Sequence, residues 1–182
     1  MSTELVLGEI RDFITGEIIP ETHDERERQK IARFLVKDKG FSKSDLRVRR
    51  TIDLNVDGVA ATVRVDFVLQ VEETAFAIIV FGPGSLVSRE RPALAAARLL
   101  ESYVIPFVVV TNGQDAEVLE SETGSIVAEG LEGIPSKDQA RLKMKNLTLA
   151  VLPEARLEKE RRILFAFDVL AEKECDEYTC RL

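Results

Sequence analysis

Apolar residues recur at helical spacing near the start of the chain, between residues that begin and end helices. Thr22 and Glu25 have the spacing of a capping box, in which Thr22 is the N-cap and Glu25 reaches back to it. An apolar stripe at helical spacing follows: Ile31, Phe34 and Leu35. Gly40 adopts the left-handed conformation after a helix at little cost. The pattern therefore predicts an amphipathic helix between Thr22 and Gly40.

Two segments with alternating apolar and polar residues come next, and a period of two is typical of a strand with one buried face. The apolar positions are Val48, Ile52, Leu54 and Val56 in the first segment and Val59, Val63, Val65, Phe67 and Leu69 in the second. Asp57-Gly58 lies between the segments and favours a tight hairpin turn. We therefore predict an antiparallel hairpin whose second strand keeps its apolar residues on one face.

The following strands are apolar throughout, as expected for strands that are covered on both faces. They are predicted over residues 75–81 and 106–111, with an Ala- and Leu-rich helix over residues 88–103 between them. A last helix is predicted to begin near Pro153. The order of helix, three strands, helix and strand predicts an α/β fold: a mixed β-sheet flanked by helices, with an added C-terminal helical segment.

Composition and charge narrow the class of protein. The 182 residues, 45% apolar and 31% charged, predict a single globular domain over residues 1–182. The formal charge of −7 disfavours strong non-specific binding to polyanions. The acidic N-terminal residues do not resemble a signal peptide, and no apolar run approaches the roughly 20 residues that cross a bilayer. We therefore expect a cytoplasmic protein without a membrane partner.

Residues that bind metals or act as nucleophiles are few. Cys175 and Cys180 lie near the C-terminus and are expected to be free thiols in a reducing compartment. A zinc site needs about four ligands, which these cysteines and the distant His23 do not supply within one chain. The alternative of a metal site with ligands from both chains of a dimer stays open.

Several short motifs in the predicted order resemble the N-terminal nuclease domain of type I restriction enzyme R subunits. They are Thr15-Gly16, Glu25-x-x-Arg28-Gln29, Gly40-Phe41, Lys43, Asp66, Pro83, Thr111-Asn112-Gly113 and Gly133-Ile134-Pro135-Ser136. The resemblance covers residues 10–140, which leaves residues 141–182 as a C-terminal helical extension. It implies a restriction-endonuclease-like fold of the PD-(D/E)xK superfamily.

The resemblance also implies a catalytic motif that this chain matches only in part. Cutting members place an Asp on the second strand, a Glu and a Lys two residues apart on the third, and often a Glu on the first helix, around Mg²⁺. Asp66 matches the strand Asp and Glu25 the helix Glu, so both are candidate catalytic and metal-binding residues. Aligned through Pro83, the Glu and Lys positions are Ile79 and Phe81, which cannot bind Mg²⁺. The chain therefore resembles a degenerate member.

Other residues stay open as replacements for the missing pair. Glu72 or Glu73 could supply a carboxylate, although the predicted turn puts them about 20 Å along the strand from Ile79. Arg89 or Arg98 on the following helix could supply the cation.

The candidate residues also have purely structural interpretations. Glu25 could act only as a capping residue, and Asp66 could pair with an arginine. The strongest basic segment supplies the candidate nucleic-acid-binding residues Lys43, Arg47, Arg49 and Arg50. These could contact phosphates, although runs of charge are most often solvated surface.

Three functional hypotheses follow. The first is a stand-alone, catalytically degenerate domain of this family with a DNA-associated binding or accessory role. The second is an active Mg²⁺-dependent endonuclease with relocated catalytic residues. The third is a protein-interaction or oligomerisation module that does not bind nucleic acid. No cofactor is expected under the first and third hypotheses, and Mg²⁺ is expected under the second. The expected partners are DNA, another protein or a second copy of the chain.

Overall fold

The computed structural model describes residues 5–170 and has a six-stranded sheet at its centre. The strands in chain order are β3 (Leu46–Val56), β4 (Val59–Val71), β5 (Thr74–Phe81), β6 (Phe107–Thr111), β7 (Ala116–Glu120) and β8 (Ile126–Glu129), and neighbours in this order are hydrogen-bonded. A separate hairpin of β1 (Gly8–Arg11) and β2 (Ile18–Glu21) precedes them. Cys175 and Cys180 lie outside the described residues.

Within residues 5–170, four α-helices flank the sheet. They are α1 (His23–Lys37), α2 (Val87–Leu99), α3 (Lys137–Asn146) and α4 (Glu154–Leu164). The β5–β6 pair is parallel and α2 connects it, whereas all other pairs in the sheet are antiparallel. The predicted mixed sheet with flanking helices and a C-terminal helix is therefore confirmed. No helix within residues 5–170 is both long and apolar enough to span a bilayer.

Two hydrophobic cores lie on opposite faces of the sheet. Alternate residues of β6 go to different cores: Val109 packs with α1, and Val108 and Val110 pack with α2. The α1-side core also receives Ala140 of α3, and the α2-side core receives Leu164 of α4. The sheet is thus covered on both sides, which explains why its central strands are apolar throughout.

The apolar side chains of the β3–β4 hairpin switch from one face of the sheet to the other at Arg49 and Asp66. Pairing passes from Val48–Phe67 to Arg50–Val65 and skips the residues between, where Arg49 has a positive φ of 52°. On the turn side of this irregularity the hairpin packs into the α2-side core, through Ile52, Leu54, Val56, Val63 and Val65. On the other side it packs into the α1-side core, through Leu46, Val48, Phe67 and Leu69. The prediction that β4 keeps its apolar residues on one face is therefore wrong, because a local backbone irregularity reverses the pleat.

A buried carboxylate attaches α4 to α2. Glu160 of α4 has no exposed surface and lies 3.0 Å from guanidinium nitrogens of Arg91 and Arg98 in α2. Arg156 Nε donates to the same carboxylate at 2.9 Å. These arginines hold the pKa of Glu160 below its ordinary value, although burial alone would raise it. Arg98 also donates to the carbonyl of Ser121, so its guanidinium has a structural role.

Candidate functional site

Asp66 lies where β4 and β5 separate. Their pairing ends at Phe67–Ile79, and β4 continues towards the β3–β4 turn without β5 beside it. Asp66 Oδ2 accepts a hydrogen bond of 2.8 Å from the backbone N–H of Phe81. The carboxylate thus takes the acceptor role that a β4 carbonyl would have had if the pairing had continued, and it satisfies a buried amide.

The other Asp66 oxygen is bound by α1. Arg28 Nε donates to Asp66 Oδ1 at 2.6 Å, and Arg28 Nη1 lies 3.8 Å from Glu25 Oε2. The guanidinium also stacks over the Phe81 ring, 5.4 Å from its centroid. Arg28 therefore bridges the two carboxylates that the sequence singled out, and it covers Phe81, the residue at the expected Lys position.

The neighbouring carboxylates favour the charged form of Arg28. Burial lowers the pKa of Arg28, but the charge and hydrogen bond of Asp66, with smaller contributions from Glu25 and Asp24, raise it above the ordinary value. Asp66 is only 6% exposed and both of its oxygens accept hydrogen bonds. The Arg28–Asp66 pair is therefore a satisfied, largely desolvated ion pair.

Glu25 forms only half of the predicted capping box. Thr22 Oγ1 accepts from the Glu25 backbone N–H at 3.0 Å, which confirms Thr22 as the N-cap. The Glu25 carboxylate instead accepts from Gln29 Nε2 at 2.8 Å and lies 3.8 Å from Arg49. Glu25 thus joins the α1 cap to the carboxylate site.

A third carboxylate, Asp12, was not found from the sequence. It is 2% exposed, and its Oδ1 accepts from the backbone N–H groups of Ile14 and Thr15 at 2.8 Å each. Its Oδ2 accepts from Gln29 and Arg49. Burial alone would raise the pKa of Asp12, but the hydrogen bonds from Thr15 and Ile14 and the charge and hydrogen bond of Arg49 lower it. A signal was available in the sequence, since an Asp side chain commonly accepts from its own backbone two residues on, in an Asx turn.

The two positions where the catalytic Glu and Lys were expected are apolar and buried. Ile79 and Phe81 both pack in the α1-side core, with Ile31 of α1 among their neighbours in that cluster. Within residues 5–170 there is no group of three or more His, Cys, Asp or Glu side chains placed to hold a metal ion.

The proposed replacements lie in different places. Glu72 and Glu73 form the β4–β5 turn, beyond the Val71 end of β4, and Arg98 is bound to Glu160 in the α2–α4 interface. Arg89 lies beside Asp66 in a cleft where β4 and β5 diverge, here called the fork cleft. This cleft has a volume of about 530 Å³ and is lined by Arg28, residues 62–66, Val80, Phe81, Arg89, Pro92, Ala93 and Ala96.

The basic segment does not form one surface. Arg49 is turned inwards to Asp12 and Glu25, whereas Arg50 is exposed and lies 3.6 Å from Glu101, just beyond α2. Lys43 stacks over the Phe13 ring at 4.2 Å, and Arg47 is exposed. The structure therefore divides these four residues between the two sides of the sheet.

Comparison with protein families identifies the domain. Residues 23–135, more than half of the chain, match the family described as the type I restriction enzyme R protein N terminus. The chain belongs to this family. No curated protein and no solved structure gives a significant match.

The match to the R-protein N-terminal family runs from the start of α1 to the segment before α3. It includes Glu25, Arg28, Asp66 and both apolar positions on β5. Asp12 and α4 lie outside it, so the carboxylate network that links β1–β2 to α1 is an addition to the matched region.

Proposed function

We propose that this R-protein N-terminal-like domain binds DNA without cutting it and serves as an accessory part of a DNA-processing system. The absence of cutting is supported by the position of Arg28, whose guanidinium bridges Asp66 and Glu25 beside the apolar Ile79 and Phe81. The exposed basic residues Lys43 and Arg47 support the binding of DNA. A guanidinium between two carboxylates supplies the positive charge that a metal ion would otherwise supply there.

The arrangement does not fit the magnesium ion that the family resemblance implies. Mg²⁺ requires near-octahedral oxygen ligands, several of them water. Both Asp66 oxygens already accept from N–H donors, and Glu25 accepts from Gln29. Binding a cation here would separate a desolvated pair and leave Arg28 buried without its partner, a change that costs several kcal/mol.

The test combines cleavage and binding on the same protein. Purified protein should not cut double-stranded or single-stranded DNA above background with Mg²⁺ or Mn²⁺. Fluorescence anisotropy should show weak DNA binding that falls steeply with salt and persists in EDTA. Asp66→Asn, which keeps the side-chain shape, is the matched control. Cleavage that disappears in Asp66→Asn would favour the endonuclease hypothesis, and the absence of DNA binding at low salt would contradict the proposed role.

A second candidate function is assembly with a protein partner or a second copy. The edge strand β8 exposes the apolar side chains of Ile126 and Val127, which are 43% and 52% accessible. Exposed apolar residues on an edge strand favour pairing with another chain. Light scattering coupled to size exclusion would detect a dimer, and Val127→Lys should dissociate a dimer that forms through β8.

A further inference from the structure

The fork cleft carries an excess of positive charge. Among the residues that the structure describes, three arginines line it, Arg28, Arg64 and Arg89, and Asp66 is the only carboxylate in the lining. Asp66 neutralises Arg28 at 2.6 Å. Arg64 has no hydrogen bond or ion pair with any residue in the described part of the chain, 5–170. Among residues 5–170, the Arg89 side chain donates only to the Ser85 carbonyl, at 3.3 Å.

Arg89 lies over the backbone of Gly82, the residue that follows β5, where the glycine leaves room for it. A Cβ atom at Gly82 would lie 1.9 Å from Arg89 Nε and 2.3 Å from Arg89 Cζ. The guanidinium therefore lies directly on Gly82, next to Phe81, and only a residue without a side chain permits this position. The first turn of α2, which carries Arg89, also brings the positive end of its helix dipole to the cleft.

Two guanidinium groups without carboxylate partners suit phosphate. Guanidinium presents N–H donors in a planar fork that matches phosphate oxygens in bidentate fashion. The cleft walls are partly apolar, formed by Val63, Val65, Pro92, Ala93 and Ala96, and low-dielectric walls strengthen the attraction for an anion. Asp66 repels an anion, but its charge is already balanced by Arg28.

We propose that the fork cleft is a metal-independent phosphate-binding site in which Arg64 and Arg89 grip the phosphate and Arg28 supports it. The shared chemistry is a phosphate group, either of a nucleic-acid strand or of a free nucleotide. The choice of a nucleic-acid strand rests on the proposed function, whereas binding of a free phosphate does not.

The experiment measures binding in EDTA by two probes. Calorimetry follows inorganic pyrophosphate, and fluorescence anisotropy follows a short labelled oligo(dT). The variants are Arg64→Gln, Arg89→Gln and Gly82→Ala, and the matched control is Arg141→Gln on α3, whose side chain is 46% exposed and outside the cleft. Gly82→Ala retains every charge and displaces only the end of the Arg89 side chain. Circular dichroism and the melting temperature verify that each variant is folded.

We expect each cleft variant to weaken binding of pyrophosphate by about tenfold or more, since each loses a charge-assisted contact. Arg141→Gln should stay within about twofold, since its small, screened effect acts at a distance. Pyrophosphate binding that depends on Arg64 and Arg89 without any oligo(dT) binding upholds the site and contradicts the proposed DNA role. Oligo(dT) binding that is equal in all variants overturns the site and leaves the DNA role standing. Binding of neither probe, or binding that requires Mg²⁺, also overturns the site.

Discussion

Arg28 Nε lies 2.6 Å from Asp66 Oδ1, although α1 and β4 place these residues 38 positions apart in the chain. The pair joins the first helix to the point where β4 and β5 separate. Because Asp66 also accepts from the Phe81 amide, the carboxylate closes the end of β5 and fixes α1 at the same time. A residue expected to hold a metal ion thus has two structural partners.

Restoring the motif should recreate a metal site only when Arg28 is also removed. Ile79→Glu with Phe81→Lys adds the missing groups, but Arg28 still occupies the carboxylates. We expect calorimetry to detect Mn²⁺ binding in the triple variant with Arg28→Gln and much weaker binding in the double variant. Both should lose about 2–5 kcal/mol of unfolding free energy, since Ile79 and Phe81 are core residues.

Adding Asp66→Asn to the triple variant is the control, and it should abolish the Mn²⁺ signal. A folded triple variant without Asp66-dependent binding would show that Ile79 and Phe81 do not occupy the Glu and Lys positions.

Glu160 should be critical for stability. Glu160→Gln leaves the buried Arg98 without its anionic partner, so we expect a loss of about 3–5 kcal/mol in unfolding free energy. Glu158→Gln on the exposed side of the same helix is the control and should change stability by about 0.5 kcal/mol or less. Urea denaturation measures both, and equal effects would mean that the buried cluster contributes little.

Glu160 should also account for part of the loss of folding stability at low pH. The pKa of Glu160 is lowered from its ordinary 4.5, so the unfolded chain binds its proton first as the pH falls. Its stabilisation is complete above pH 4.5 and is lost as the pH falls through the lowered pKa. The urea midpoint of the wild type should therefore decline more steeply below pH 4.5 than that of Glu160→Gln. Parallel curves would contradict this assignment.

A substitution in the β4–β5 turn should make the protein more stable. Glu72 and Glu73 have positive φ angles of 50° and 66°, the conformation of a type I′ turn that favours Asn-Gly. Glu73→Gly should raise the unfolding free energy by about 0.5–1 kcal/mol, since it removes left-handed strain. Glu73→Gln keeps the strain and removes only the charge. If it stabilises as much as Glu73→Gly, charge repulsion rather than backbone strain is the cause.

Substitutions of Arg47 and Arg49 should have different effects on stability and DNA binding, although the two residues are only two positions apart. Arg49→Gln should cost about 2 kcal/mol or more, because it leaves the buried Asp12 short of a partner. Arg47→Gln should leave stability nearly unchanged and reduce the salt dependence of DNA binding by about one phosphate contact. If Arg47→Gln changes neither property, the exposed basic segment is not a DNA contact.

The sequence predicted those elements whose causes are local. Thr22 begins α1 because its hydroxyl caps that helix, and Asp57-Gly58 forms the hairpin turn with positive φ at both residues. The helix predicted over residues 88–103 ends earlier, at Leu99. Beyond it Tyr103 extends to β5, where its hydroxyl accepts from the Ala75 amide at 2.9 Å.

The candidate site was only partly predictable, because its contacts join distant segments. The family motif located Asp66 and Glu25, but nothing in the spacing indicates that Arg28 bridges them. The alternation in β3 and β4 continues in the sequence while the backbone reverses at Arg49, so periodicity alone assigns half of each strand to the wrong face. Asp12 depends on the β1–β2 hairpin, which the apolar pattern did not reveal.

Because of the reversal at Arg49 and Asp66, the β3–β4 hairpin is part of both cores, one on each side of the sheet. Its turn end is attached to α4 by the exposed Arg162–Asp57 pair at 2.8 Å, and its other end packs under α1. The same two strands therefore connect α4 at the turn end with Asp66, the residue that Arg28 holds. Asp66 lies where this hairpin passes from one core to the other, so its carboxylate joins β5 and α1 at the boundary between the two cores.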